Sequence, residues 1–243
     1  MASSATVAVR SVFAYIVTLI YIAIAGPIGV LIAVLFRWKS GLYALGHGGV
    51  ALALAAVGIK VRVSGREHVP QGAAVFCSNH ESNVDPPVLF HVLHPFLHVL
   101  YKAELHKFPI MGTVFDVGGF IPIERGDREK SVASITRGAN SLKAGNSFLI
   151  FPEGTRSRTG ELLPFKKGGF FMAIEAQAPV VPVAVSGGRA SMEKGSAFVR
   201  PVTVTVRIGK PISTAGVTVA GREALIRQVR EDIERLLALG PIE

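Results

Sequence analysis

Cysteine is nearly absent from this chain: among 243 residues there is one, Cys77. No internal disulfide can form and no CxxC metal site exists, which suits a reducing, cytoplasmic setting. Charge is also scarce, at 18% of residues, and it leans basic, with 26 Lys and Arg against 17 Asp and Glu. The net charge of +9 suggests anionic partners. Yet there is no unbroken block of five or six Lys and Arg and no nucleic-acid motif. Lipid headgroups and phosphorylated substrates therefore rank above nucleic acid, which is not expected as a partner. Also missing are internal repeats, low-complexity tracts and a GxSxG nucleophile elbow.

The longest gap in charge lies near the N-terminus. Residues 11–36 hold no charged side chain. As one helix they would reach about 39 Å, enough to cross a bilayer with tilt. Gly26-Pro27-Ile28-Gly29 sits in the middle and is expected to kink it. A second uncharged run, residues 41–59, is interrupted only by His47. Between the two lies Arg37-Trp38-Lys39, a cation–aromatic cluster of membrane-interface type. Small residues at four-residue spacing, such as Ala25, Gly29 and Ala33, allow close helix packing. Three readings compete. Ala23-Ile24-Ala25 mimics a signal-peptide cleavage site, but the preceding region carries only Arg10. A spanning hairpin would put Arg37 and Lys39 on the side opposite Lys60, Arg62 and Arg66, partly against the positive-inside tendency. A kinked pair embedded in one leaflet fits Pro27 and the cations at both ends best. The expected organisation is residues 1–59 as a membrane-associated two-helix segment and 60–243 as a catalytic domain.

From Lys60 onward, short apolar runs alternate with helix-like segments. Strands are expected at residues 61–63, 73–77, 96–101, 119–123, 148–151, 180–185 and 202–208. Helices are expected at 85–93, broken at 104–115, and at 128–143, 167–176 and 220–239. In the last helix Leu225, Val229, Ile233 and Leu236 form one stripe. Such alternation indicates an α/β fold, a mainly parallel mixed sheet flanked by helices.

Two segments carry chemistry. The first is Asn79-His80-Glu81-Ser82-Asn83-Val84-Asp85-Pro86-Pro87. On one continuous helix, His80 and Asp85 would be rotated about 140° apart. They can meet only across a strand–loop–helix turn, where Asp85 would fix the His80 tautomer and leave the other nitrogen as a base. Asp85 is also expected to cap the helix that begins at Pro86. The second is Phe151-Pro152-Glu153-Gly154-Thr155-Arg156-Ser157, after a strand end. Gly allows close backbone approach, Thr155 offers a hydroxyl, and Arg156 offers a planar fork for phosphate. Arg125, Arg158, Lys166 and Lys167 lie in neighbouring loops and could join this anion site or remain surface charges. Cys77 reads as a core residue rather than a nucleophile. His91, His94 and His98 have suggestive spacing, but Pro95 separates them and no carboxylate completes a set, so no metal is expected.

These residues carry a resemblance. Asn79-His80 with Asp85, and Ser82 at its expected place, resembles the first motif of the glycerolipid acyltransferases, the family of 1-acylglycerol-3-phosphate O-acyltransferases. Gly119-Phe120-Ile121-Pro122-Ile123-Glu124-Arg125 resembles the second motif, residues 151–157 the third, and Val181-Pro182-Val183 the fourth. Tyr101-Lys102-Ala103-Glu104-Leu105 and Pro164-Phe165-Lys166-Lys167-Gly168 are also similar to family segments. The resemblance implies direct acyl transfer from a thioester to the free sn-2 hydroxyl of 1-acylglycerol 3-phosphate, forming phosphatidic acid. His80 would be the base and Asp85 its partner. Arg125, Glu153, Gly154, Thr155 and Arg156 would hold the acceptor phosphate, with Asn79, Lys102 and Lys166 in support. No bound cofactor is implied. The partners are a lipid bilayer, lysophosphatidic acid, and acyl-CoA or acyl-carrier protein as donor. The implied location is the cell inner membrane, with the catalytic domain facing the cytoplasm. Three alternatives stay open: another acceptor such as glycerol 3-phosphate or a different lysolipid, a hydrolase, and a non-catalytic lipid-binding membrane protein.

Overall fold

The computed structural model describes residues 4–124 and 126–242. Two long apolar helices come first, α1 (Ser4–Leu35) and α2 (Lys39–Val57). Helix α1 runs on past Pro27, which lies inside it and donates no hydrogen bond of its own. Small residues bring the helices together as anticipated. A Cβ on Gly29 would lie 2.7 Å from Leu42, and one on Gly49 would lie 2.6 Å from the Tyr21 ring. Both helices are long and apolar enough to cross a membrane. Large apolar side chains of α1, including Phe13, Leu19, Ile24 and Leu31, are exposed along its outer face.

The sheet follows. Its strands are β1 (Lys60–Ser64), β2 (Val75–Ser78), β3 (Leu97–Lys102), β4 (Ile121–Ile123), β5 (Ser147–Ile150), β6 (Val180–Ser186) and β7 (Thr203–Ile208). They form one seven-stranded sheet in the order β1-β7-β6-β2-β5-β3-β4. All neighbours are parallel except β6 and β7. The pair β1/β7 therefore runs against the other strands. Helices α3 (Asp85–Leu93), α4 (Pro109–Gly118), α5 (Arg128–Lys143), α6 (Gly168–Ala176), the short α7 (Gly188–Ser191) and α8 (Arg222–Ala238) make the connections.

Central strands are buried on both faces, and their side chains alternate between two cores. Phe76 and Leu149 pack with Val88 and Leu89 of α3 and with Leu54 and Val57 of α2. Val75, Cys77, Phe148 and Ile150 pack with Leu142 of α5, Phe170 of α6 and the Leu225, Val229, Ile233 stripe of α8. The chain leaves β2 over β5 to reach β3, and leaves β5 over β2 to reach β6. Adjacent strands with connections departing in opposite directions open a crevice beyond their C-terminal ends, where α/β proteins place ligands.

Candidate active site

Both chemistry-bearing segments emerge at that crevice, one from β2 and the other from neighbouring β5. Ahead of the imidazole, Asn79 fixes the exit of the first. Its amide donates to the Val185 carbonyl at 2.8 Å and accepts from the Val185 N–H at 2.8 Å, tying the loop to β6. His80 Nδ1 then meets Asp85 Oδ2 at 2.9 Å. The same oxygen accepts from the backbone N–H groups of Glu81 and Ser82, each at 2.7 Å. With Nδ1 donating, Nε2 is left as the lone-pair nitrogen, able to accept a proton. The ring stacks on Phe151 with centroids 4.2 Å apart.

The structure corrects the expected cap. Helix α3 begins with Asp85 itself, and Val84 stands at the cap position without a side-chain bond. Pro86 and Pro87 follow, and neither has an N–H for a cap to satisfy. The Asp85 carboxylate is thereby free to turn back onto the loop and hold His80.

Glu153 joins the two segments. Its Oε1 accepts from the His80 N–H at 2.8 Å and its Oε2 from the Leu163 N–H at 2.9 Å. The Ser157 N–H donates to the His80 carbonyl at 2.8 Å. Burial raises the Glu153 carboxyl above its usual range, and the two N–H bonds pull it partly back. Gly154 has φ +66, and a Cβ there would lie 2.8 Å from the end of the Lys166 side chain. Lys166 is thus folded over the glycine turn. Thr155 is exposed and Arg156 half-buried. The Arg156 Nη1 is buried without a hydrogen-bond partner among the described residues.

Not every expected residue converges here. Lys102 ends β3, with β5 between that strand and β2, and its ammonium pairs with Glu104 at 3.0 Å. Arg125 lies outside the described residues. His94 accepts from the Phe96 N–H, and burial, with the charges of Lys39 and His94, lowers His98 to about 4. The His98 ring packs beside Tyr43 and Phe120, and the His94 ring beside Phe76.

Several contributors carried no signal in the sequence. Glu81, buried beside Asp85, accepts from the Arg189 N–H at 3.2 Å. Ser82, which the motif did mark, donates its hydroxyl to the Met192 carbonyl at 2.8 Å. Lys194 Nζ donates to Thr155 Oγ1 at 3.0 Å and to the Arg156 carbonyl at 2.9 Å. From α8, Arg230 donates to the carbonyls of Leu162 and Leu163 and lies over the Phe165 ring. An apolar cavity of about 460 Å³ adjoins the site, lined by α1, α2, Asn83, Pro87 and Met192 among others.

A sheet-end imidazole braced by a buried carboxylate beside a cationic glycine turn can deprotonate a hydroxyl held by an anionic neighbour. The chain belongs to the acyltransferase family, whose sequence model matches residues 60–186. Among characterised relatives it is 30% identical to the 1-acyl-sn-glycerol-3-phosphate acyltransferase of Limnanthes douglasii over 210 residues, 84% of this chain and 74% of that one. The human 1-acyl-sn-glycerol-3-phosphate acyltransferase beta is 35% identical over 156 residues, 63% of this chain and 55% of that one. The fold is that of the LPA acyltransferase PlsC from Thermotoga maritima, with a TM-score of 0.85 at 23% identity over 98% of each chain.

Proposed function

We propose that this protein is a 1-acylglycerol-3-phosphate acyltransferase. It moves a fatty acyl group from acyl-CoA or acyl-carrier protein to the free sn-2 hydroxyl, releasing the thiol and forming phosphatidic acid. The observation that carries the reading is His80 Nδ1 on Asp85 Oδ2 at 2.9 Å, beside the turn that bears Arg156. Neutral His80 takes the hydroxyl proton at Nε2 while the oxygen attacks the thioester carbon. Asp85 holds the tautomer and stabilises the imidazolium as it forms. The proton passes to the leaving thiolate. Arg156 grips the phosphate with its fork, and Lys166 and Thr155 flank it. Glu153 acts differently from Arg156: both its oxygens are engaged with backbone N–H groups, and it sets the distance between base and turn.

Residues 1–59 form the membrane-associated segment, lying in one leaflet of the inner membrane with the catalytic part on the cytoplasmic side. The exposed apolar face of α1 and the cationic ends of the two helices support this placement. The test is a donor and acceptor panel on purified protein, read by mass spectrometry. Phosphatidic acid should form from lysophosphatidic acid and an acyl thioester. His80→Ala should lower turnover by roughly 10²–10⁴-fold with an unchanged circular dichroism spectrum. Near-normal turnover in that variant excludes His80 as the base.

A further inference from the structure

Lys194 stands in an unusual position. It belongs to the loop after α7, yet its ammonium reaches back to the phosphate turn, binding Thr155 Oγ1 and the Arg156 carbonyl. The peptide group whose carbonyl takes that bond is the one whose N–H, from Ser157, donates to the His80 carbonyl. A single peptide plane therefore separates the Lys194 ammonium from the backbone of the base. The loop is fixed at several points. Ser82 and Ser191 hold the carbonyls of Met192 and Arg200. Ser11 of α1 accepts from the Val199 N–H at 2.8 Å, and Tyr15 donates to the Ala197 carbonyl at 2.6 Å.

Among the described residues Lys194 bonds only neutral oxygens, so its charge is not paired there and one of its three N–H donors is left for a ligand. Next to it, Arg156 holds a buried Nη1 with no partner among the described residues. Glu153 and Glu81, carboxylates of the two flanking segments, accept bonds from backbone N–H groups. Lys194 and Arg156, with Lys166 folded over Gly154, gather more positive charge at one turn than a singly charged ligand matches. A phosphomonoester carries a second ionisation near pH 6 and so approaches two charges at neutral pH, whereas a phosphodiester carries one.

We infer that Lys194 is the residue that selects a phosphomonoester headgroup in the acceptor. It supplies a point charge for the second phosphate ionisation, while Arg156 supplies the planar fork. The inference rests on the acyltransferase reading above and adds a specificity determinant to it. Lysophosphatidate is then preferred over lysophosphodiesters because the latter leave one cation unmatched.

The test compares kcat/KM for lysophosphatidate and for lysophosphatidylglycerol in wild type, Lys194→Met and Lys194→Arg. In Lys194→Met the value for lysophosphatidate should fall about 10–100-fold, the size of one charge-assisted hydrogen bond. The value for lysophosphatidylglycerol should fall far less, so the monoester preference collapses by about tenfold or more. Lys194→Arg, which keeps the charge, should retain most of the preference. Equal losses on both acceptors would make Lys194 only a clamp on the turn and overturn the inference, as would no loss on either. Wild-type phosphatidic acid formation separately reads the parent function. Equilibrium binding of the same two lysolipids in detergent to wild type and Lys194→Met gives the preference without turnover. A preference unchanged by the substitution there refutes the role of Lys194 whatever reaction the enzyme performs.

Discussion

Glu81 sits 8% exposed next to the buried Asp85, so two carboxylates share one loop. Burial first, then repulsion from Asp85, raises the Glu81 carboxyl; N–H bonds from Arg189 and Gly188 and the Arg189 charge pull the other way. The folded chain therefore holds this proton more tightly than the unfolded chain does. The contribution is fully present below the unfolded value of about 4.3 and is lost as pH rises through the raised folded value. Glu81→Gln abolishes that loss. Thermal melts should show the difference in Tm, variant minus wild type, moving in the variant's favour between about pH 4.3 and pH 7. A flat difference across that range would mean that Glu81 does not ionise against its surroundings.

At the scale of elements, the short α7 packs its first residue against the Asp85 carboxylate. A Cβ on Gly188 would stand 2.3 Å from Asp85 Oδ1 and 3.1 Å from the Ser82 Cβ. Gly188→Ala must therefore displace either α7 or Asp85. Its kcat should fall by about 10²-fold, as small misplacements of catalytic groups do, with the secondary structure intact. Unchanged kcat would show that the loop absorbs the methyl group without moving His80. This contact also marks where the sequence stops being readable. The α8 stripe was legible because Leu225, Val229 and Ile233 recur at helical spacing and all three are buried. His80 and Asp85 were legible because they lie five residues apart in one turn of chain. Glu81 to Arg189 spans 108 positions and Thr155 to Lys194 spans 39, and no local pattern encodes such pairs. The cap on α3 was misread for a local reason: Asp before two prolines looks like a helix start, but prolines offer no N–H to cap.

For the whole molecule, the +9 charge and the exposed apolar face of α1 act on membranes differently. Charge attraction is screened within about 10 Å at 0.1 M salt, and apolar burial is not. Flotation with anionic vesicles should therefore keep the full-length protein bound at 1 M salt, and removal of residues 1–59 should release it. Release of the full-length protein by salt alone would show that surface charge, not embedding, holds it.

The direction of one edge strand sets where the helix pair joins the sheet. Since β1 and β7 oppose the other strands, Ser64 and Arg207 lie level with the end of β2, and Lys60, paired with Thr203, lies beyond that end. The helix pair is thus attached on the same side as His80. The chain therefore enters the sheet from the side on which His80 stands, and an apolar cavity opens there between the helix pair and the loop after His80.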